Sequence, residues 1–356
     1  MSIPSLVGHS AARDHLLRAV AASRLPQVLL VTGPAGVGKQ RLGLWLAQAL
    51  LCTGPEPRPC GQCRGCSQVL GLTHPDLHWF VPVARPKAGD PEKQMDEVLE
   101  LLEAAMAARR EAGLWKSPDG MAAHGVNSAR LLARQASLTP VEGGWRVFII
   151  GHAERLVAQE SSPEAANALL KLLEEPPRRT LFVLTVAGAG MVLPTIRSRS
   201  TPLRLSRLSA EEVRQFLMAT RPELARDALI EAANGSIGAA LDGIDGDPMA
   251  KARQSAEAFL KAVHDGPMPA AERALRQPAW QARGEFTALL DAVLDRLSTR
   301  SRRALTGSGR VSPLNPDALL AGVDRVLEAK ERAQGNVNPQ LLLAVLANEL
   351  SGAEAA

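Results

Sequence analysis

The sequence predicts an α/β domain built on a parallel sheet, followed by a region made of helices. Over about the first two hundred residues, short apolar runs alternate with stretches in which apolar residues recur at helical spacing. A glycine-rich segment joins the first of these runs to a helix. Strand signals fade from about Leu208. Alternation of this kind is typical of a parallel sheet covered by helices.

Four strands and three helices are predicted before Leu208. The strand-like runs are residues 28–31, 77–83, 147–150 and 181–186. Helical spacing of apolar residues predicts helices over 41–51, 95–106 and 166–173. Ser161, Ser162 and Pro163 resemble an N-terminal cap and a first-turn proline for the third helix.

Length and composition bound the class of protein. At 356 residues the chain is expected to hold two or three domains, which we place at 1–207, 208–246 and 247–356. Hydrophobic residues make up 46% and charged residues 22%, which is typical of globular proteins. The net charge of +4 permits contact with nucleic acid without favouring it. The sequence shows no secretory signal pattern and no apolar run of about 18 residues, so we expect a cytoplasmic protein.

Residues 33–39 have the pattern of a phosphate-binding loop. They follow the apolar run 28–31 and precede a helix, which is the context that a phosphate cradle requires. The candidate binding residues are Gly33, Gly36, Gly38 and Lys39. The next residue is Gln40, where a nucleotide triphosphatase needs Ser or Thr to reach magnesium. The loop therefore has the glycines and the lysine that surround a phosphate, but it lacks the hydroxyl that would bind magnesium.

The strand at 147–150 lacks the acids that hydrolysis needs. A triphosphatase places an Asp for magnesium and a Glu for the attacking water after this strand, but Gly151 and His152 stand there. Lys39 and the loop amides can still attract an anion at the helix N-terminus. We therefore expect no ATP turnover by this chain, and weak ATP binding at most.

The four cysteines of the chain lie close together in the sequence, at Cys52, Cys60, Cys63 and Cys66. Zinc accepts four thiolates at short spacing, and the intervening glycines allow the backbone to turn between them. An iron–sulfur cluster is an alternative that four thiolates also permit, whereas disulfides are disfavoured in a reducing compartment. Because four protein ligands leave no position for water, the zinc site is expected to be structural.

These residues resemble a known family over nearly the whole chain. The chain is similar to the delta-prime subunits of the bacterial DNA polymerase III clamp loader, which belong to the AAA+ class. The cysteine cluster directly follows the phosphate-loop helix, as in that family. The helix at 166–173 runs into Glu174-Glu175-Pro176-Pro177, and residues 194–200 resemble the family's Ser-Arg-Cys segment.

The resemblance implies a domain order and a function for each part. It implies a AAA+ domain at 1–207 with a zinc module at about 52–66, a small helical lid domain at 208–246, and an all-α collar domain at 247–356. Arg199 is then expected to be an arginine finger that acts in trans, in the ATP site of a neighbouring subunit. Ser200 replaces the cysteine of the segment and leaves this arginine untouched. Gly238 stands where active subunits carry an arginine that reaches the nucleotide. The chain's own nucleotide site therefore lacks a third group, besides the hydroxyl at position 40 and the acids after the strand at 147–150.

The implied role is that of a stator within a hetero-oligomer. The chain would belong to the DNA polymerase holoenzyme without catalytic activity of its own. The implied partners are the gamma/tau and delta subunits, the sliding clamp indirectly, and primed DNA within the complex; no membrane is involved.

Two other functions stay open, and one segment has no counterpart in the family pattern. An active clamp-loader ATPase motor subunit of the gamma/tau kind is disfavoured by Gln40, Gly151 and His152. A zinc-dependent nucleic-acid-binding module is disfavoured by an aromatic content of 3% with no Tyr. Residues 85–124 are predicted to be an insertion that holds the amphipathic helix at 95–106.

Overall fold

The computed structural model describes residues 3–87, 89–112, 122–142, 144–156, 164–242, 248–277, 285–306, 316–333 and 337–354. These residues form two compact units, one that ends at Leu241 and one that begins at Asp242. Each unit has its own buried apolar cluster. The predicted helix cap at Ser161, Ser162 and Pro163 lies outside the described residues.

The elements before residue 243 are α1 (Ser10–Ala21), β1 (Val28–Thr32), α2 (Lys39–Leu51), α3 (Arg64–Leu70), β2 (Leu77–Phe80), α4 (Pro91–Ala112), α5 (Val126–Ser137), β3 (Arg146–Ile150), α6 (Glu164–Glu174), β4 (Thr180–Val186), α7 (Pro194–Ser198), β5 (Thr201–Arg204), α8 (Ala210–Thr220), α9 (Asp227–Ala233) and α10 (Ile237–Asp242). Short 3-10 helices cover Ala153–Leu156, Ala189–Met191 and Pro222–Leu224. The elements after residue 247 are α11 (Pro248–Asp265), α12 (Pro267–Leu275), α13 (Glu285–Thr306), α14 (Pro316–Ala333) and α15 (Pro339–Glu354).

The strands described before residue 243 form one parallel sheet in the order β2-β3-β4-β1-β5. Every residue of β1, β3 and β4 is buried, which explains their continuous apolar sequences, since both faces of such a strand are covered. The predicted parallel sheet is therefore confirmed. The strand predicted at 77–83 ends earlier, at Phe80.

Strand β5 was not predicted from the sequence. Its residues Thr201, Pro202 and Arg204 are exposed, so it carries no apolar run. Pro202 lacks an N–H for the ladder and is tolerated because β5 lies at the edge of the sheet, beside β1.

In the parallel sheet, the phosphate loop and Gly151 lie at the carboxyl ends of the strands, and Arg199 lies at the amino ends. The phosphate loop follows the carboxyl end of β1, and Gly151 follows the carboxyl end of β3. Arg199 precedes the amino end of β5, where Thr201 pairs with Leu29 near the start of β1. Since β1 spans about 13 Å at about 3.3 Å per residue, Arg199 and the phosphate loop lie at opposite ends of the sheet.

Helix α4 covers the β2 edge of the sheet. It contacts β2 and α5, and it buries Val98 and Leu102 in the core of the first unit. This helix confirms the amphipathic helix predicted at 95–106 and extends it in both directions. Residues 113–121 of the predicted insertion lie outside the described residues.

The residues from Leu208 to Leu241 have a small apolar cluster of their own. It includes Val213, Phe216, Leu217 and Ile230, and these residues belong to the first compact unit. The second unit is helical in its described residues: α13 packs against α11 and α14, and α15 packs against α12 and α14. The division into AAA+, lid and collar domains at 207 and 246 stays a prediction.

Candidate functional site

The glycine-rich segment forms the connection between β1 and α2. Gly36 and Gly38 have φ angles of 70° and 101°, a left-handed conformation that favours glycine. Lys39 Nζ donates hydrogen bonds to the carbonyl oxygens of Gly33 and Pro34, both at 2.7 Å. The candidate residues Gly33, Gly36, Gly38 and Lys39 therefore lie in one loop, with the ammonium group of Lys39 turned back onto the loop itself.

The first turn of α10 and the residue before it lie directly on this loop. Ser236 Oγ donates to Ala35 O at 3.0 Å, and Gly238 N donates to Gly36 O at 3.0 Å. A Cβ added at Gly238 would lie 2.7 Å from Gly36 Cα. Any side chain at position 238 would push α10 away from the loop, so glycine at this position permits the backbone contact.

Gln40 fills the space beside Gly151. Its side chain is buried, and its Oε1 accepts a hydrogen bond of 3.0 Å from Trp79 Nε1. A Cβ added at Gly151 would lie 2.7 Å from the same oxygen, closer than van der Waals contact permits. Gln40 and Gly151 are thus parts of one packing arrangement, because a Cβ at position 151 would force the Gln40 amide to shift.

A carboxylate of the chain supplies negative charge near Lys39. Glu154 Oε1 lies 3.3 Å from His152 Nδ1. Burial opposes ionisation of Glu154, but the contact with His152 and the charge of Lys39 hold its pKa below the usual value. Glu154 is therefore ionised at neutral pH and partly balances the charge of Lys39 without a phosphate.

His124 holds the backbone of Gly151 from the other side. Its side chain is buried, and its Nε2 lies 2.7 Å from Gly151 O. Because a carbonyl oxygen only accepts, Nε2 carries the hydrogen and donates it. Burial lowers the pKa of His124 from 6.5 to about 4, so the imidazole is neutral in the folded protein at neutral pH.

The first unit is expected to lose stability as the pH falls from 6.5 towards about 4. In this window the unfolded chain binds a proton at His124 and the folded chain does not, so acid favours unfolding. Between pH 7 and pH 5, the thermal midpoint of the wild type should fall by about 5 °C more than that of His124→Gln. Exposed His15 gives the control variant His15→Gln, which should behave as the wild type. An equal loss in wild type and His124→Gln would contradict this role of His124.

Arg199 lies on the surface and is held by its own chain. Its Nε donates to Glu174 Oε1 at 2.6 Å, and its Nη2 pairs with the same carboxylate. Its Nη1 donates to Thr195 O at 2.9 Å and to Ser198 Oγ at 3.2 Å. The side chain of Arg199 is 33% exposed. Arg199 is therefore accessible to a neighbouring molecule, at the end of the strands opposite the phosphate loop.

The four cysteines come together between α2 and α3. Their Sγ atoms all lie within 4.8 Å of one another. Cys52 follows α2, and Cys63 caps α3, where its Sγ accepts from Cys66 N at 3.4 Å. The Sγ atoms of Cys52 and Cys63 are 3.8 Å apart, which matches the edge of about 3.8 Å of a tetrahedron with Zn–S bonds of about 2.3 Å. The donor set and its spacing therefore fit a tetrahedral thiolate site.

The backbone around the cluster is shaped to bring these sulfurs together. A Cβ at Gly54 would lie 2.5 Å from Cys60 Sγ, and one at Gly65 would lie 2.2 Å from Leu51 O. Burial opposes ionisation of Cys63, but N–H donors at its sulfur bring its pKa to about 5, whereas burial raises the pKa of Cys66. A cation that binds here must displace the proton of buried Cys66.

Sequence reasoning missed the residues that support these sites. Trp79 contacts Gln40, His124 contacts Gly151 and Ser236 contacts the loop at 33–39. Glu174 holds Arg199. Each contact joins residues that are far apart in the chain, and no motif marks the pairing. Glu174 was visible within the sequence Glu174-Glu175-Pro176-Pro177, but its contact with Arg199 was not.

Comparison with known proteins assigns the chain to a family. Residues 8–209 match the family model described as DNA polymerase III, delta subunit. This match covers more than half of the chain, and the chain therefore belongs to that family of replication subunits. The resemblance to delta-prime clamp-loader subunits is confirmed.

Individual relatives agree with this assignment. The delta-prime subunit of DNA polymerase III from Escherichia coli is 28% identical over 288 residues, which cover 79% of this chain and 73% of the relative. The gamma/tau subunit from Mycobacterium tuberculosis is 31% identical over 207 residues, which cover 57% of this chain and 29% of the relative. The chain thus spans less than a third of the length of that longer relative.

A solved structure, the gamma subunit-related protein of Thermotoga maritima, aligns with 96% of this chain and 99% of its own length. The TM-score is 0.38 and the identity 17%, values too low to add to the family assignment. Among the helices of the described residues, none has the length and apolar character that a membrane crossing requires.

Proposed function

We propose that the chain is the stator subunit of a clamp loader, with a silent nucleotide site of its own and an arginine finger, Arg199, for a neighbouring ATPase subunit. The observation that carries this proposal is the placement of Arg199. It is exposed at the amino end of the strands, whereas the phosphate loop lies at their carboxyl end, in contact with Ser236 and Gly238. An arginine in this position is out of reach of its own phosphate loop and accessible to another chain.

The proposed partners are the gamma/tau and delta subunits in a ring of unlike chains. In such a ring each contact joins different surfaces of successive subunits. Helices α14 and α15 pack together and expose Leu320, Leu327, Leu341 and Val345 at 45%, 44%, 62% and 38%. Apolar side chains of this kind support a collar contact through the C-terminal helices. The assembly would act on the sliding clamp and primed DNA in the cytoplasm.

The proposed metal is structural Zn²⁺, bound by Cys52, Cys60, Cys63 and Cys66. The mutual distances of the four sulfurs support zinc, and four thiolates leave no coordination position for a substrate. Zinc would join the end of α2 to the start of α3, next to the core of the first unit. An iron–sulfur cluster uses the same ligands, and metal analysis of the purified protein distinguishes the two.

The isolated chain is expected to show no measurable ATP hydrolysis. Three features support this expectation: Gln40 in place of a hydroxyl, no acid at positions 151 and 152, and a backbone contact from Gly238 where a nucleotide would need room. The test is a titration with labelled Mg·ATP together with a phosphate-release assay on the purified chain. Tight magnesium-dependent binding with turnover would instead support an active motor subunit.

A free zinc-dependent nucleic-acid-binding module is the other alternative. Such a module would bind DNA tightly without partners, and its binding would be steeply salt-dependent. We expect the isolated chain to bind primed DNA weakly and to require the assembled loader for tight binding.

A further inference from the structure

Residues 85–124 are called the arm here, and its described residues contact the silent nucleotide site at two places. Helix α4 of the arm packs against strand β2 and carries Arg109 in its last turn. His124, the last residue of the arm, donates its hydrogen bond to Gly151 O. Both contacts belong to the described residues of the arm, which are 85–87, 89–112 and 122–124.

Arg109 fixes the ring of Trp79. Its side chain is 8% exposed, and its guanidinium carbon lies 5.1 Å from the centre of the indole ring. Burial lowers the pKa of Arg109 to about 10, so the guanidinium is charged at neutral pH. A desolvated cation over an indole face is attracted by the ring quadrupole, and this attraction holds the plane of Trp79.

Trp79 in turn fixes the side chain of Gln40. The indole has one donor, Nε1–H, and it points at Gln40 Oε1. This hydrogen bond holds the amide beside Gly151, where an added Cβ would lie 2.7 Å from Oε1 and 2.9 Å from Nε2 and would force the amide to break it or shift. A continuous series of contacts therefore connects Arg109 of α4, through Trp79 and Gln40, to Gly151, where a triphosphatase would carry an acid.

We propose that the arm seals the silent nucleotide site. Arg109 and His124 hold Trp79, Gln40 and Gly151 as one plug in the space of the missing metal ligands. The inference rests on the proposed function, in which this site is silent, and adds the part of the chain that keeps it closed.

The first test is a mutant cycle on the isolated chain, followed by thermal unfolding. Gly151→Asp is expected to lower the thermal midpoint by about 5 °C or more, because the new side chain overlaps the fixed Gln40 amide. Adding Gln40→Thr should recover at least half of that loss. The control is Gln48→Thr, which changes another buried glutamine of α2 and should recover none of it. Equal loss with and without Gln40→Thr would overturn the plug.

The second test concerns the arm and uses hydrogen exchange of residues 147–156. Arg109→Met keeps the length of the side chain and removes its charge, and it should raise the exchange rate of this segment about tenfold. Arg110→Met, at the next position of the same helix, is the matched control and should leave the rate unchanged. Equal rates in the two variants would overturn the role of the arm.

Trp79→Phe gives an independent readout if Arg109→Met folds poorly. It keeps an aromatic ring under Arg109 and removes the donor to Gln40, so it should reduce the penalty of Gly151→Asp. An unchanged penalty would contradict the link through Trp79. These measurements use neither ATP nor partner subunits, so their failure is distinct from a failure of the proposed function.

Discussion

Arg199→Ala is expected to slow hydrolysis at the ATP site that faces this chain by about 10³-fold or more, since arginine fingers supply roughly 10³–10⁵ in rate in related phosphoryl transfers. In the proposed role, the planar guanidinium of Arg199 would stabilise the charge that develops on the transferred phosphoryl group. The measurement is rapid-quench ATP hydrolysis by a reconstituted loader. The amplitude of the fast phase of hydrolysis should fall by the amount contributed by the ATP site that faces this chain.

The variant chain is expected to fold and assemble normally. The ion pair of Arg199 with Glu174 is exposed, with side chains 33% and 44% accessible, and such pairs contribute about 0.2–1 kcal/mol. For the same reason, Arg199 can leave Glu174 at small cost when it meets a phosphate. The matched control is Arg197→Ala, an exposed arginine of α7, which should leave hydrolysis unchanged. Full activity of the Arg199→Ala loader would remove Arg199 from the mechanism.

Loss of the metal is expected to have the largest effect on stability. Structural zinc in small thiolate sites contributes about 10–16 kcal/mol of apparent binding free energy, and Cys52 and Cys66 are buried against the core of the first unit. Cys63→Ser should abolish the binding of one zinc per chain and lower the thermal midpoint of the first unit markedly. Elemental analysis and thermal unfolding of the purified protein measure the two effects.

Ser67→Ala, at an exposed position of the same helix α3, is the control for Cys63→Ser. It should keep one zinc per chain and the wild-type midpoint. Treatment of the wild type with a strong chelator should reproduce the destabilisation that Cys63→Ser causes. A Cys63→Ser protein with full zinc content and unchanged stability would exclude the four-thiolate site.

The sequence was sufficient for features whose parts are close together in the chain. The loop at 33–39 and the cysteines at 52–66 each lie within about fifteen residues, so spacing alone predicted their approach. Strands β1, β3 and β4 were predictable because burial on both faces leaves continuous apolar runs. Strand β5 was not, because an exposed edge strand with Pro202 carries no apolar signal.

Long-range contacts at the candidate site were not predictable in this way. Arg109, Trp79 and Gln40 come from three elements, and only the packing of α4 on the edge of the sheet brings them together. The parallel pairing of β5, an unpredicted strand, with β1 likewise decides that Arg199 and the phosphate loop lie at opposite ends of these strands. Local patterns contain neither the pairing of β5 nor the placement of α4, so these contacts could be learned only from the fold.

The most direct test of the account compares two substitutions in the same reconstituted loader. Lys39→Ala removes the ammonium group of the home phosphate loop, and Arg199→Ala removes the guanidinium at the opposite edge of the sheet. We predict that the loader with Lys39→Ala hydrolyses ATP and loads clamps as the wild type does, whereas the loader with Arg199→Ala is defective in both. Loss of activity with Lys39→Ala, together with full activity with Arg199→Ala, would place the chemistry in this chain's own site and contradict the account.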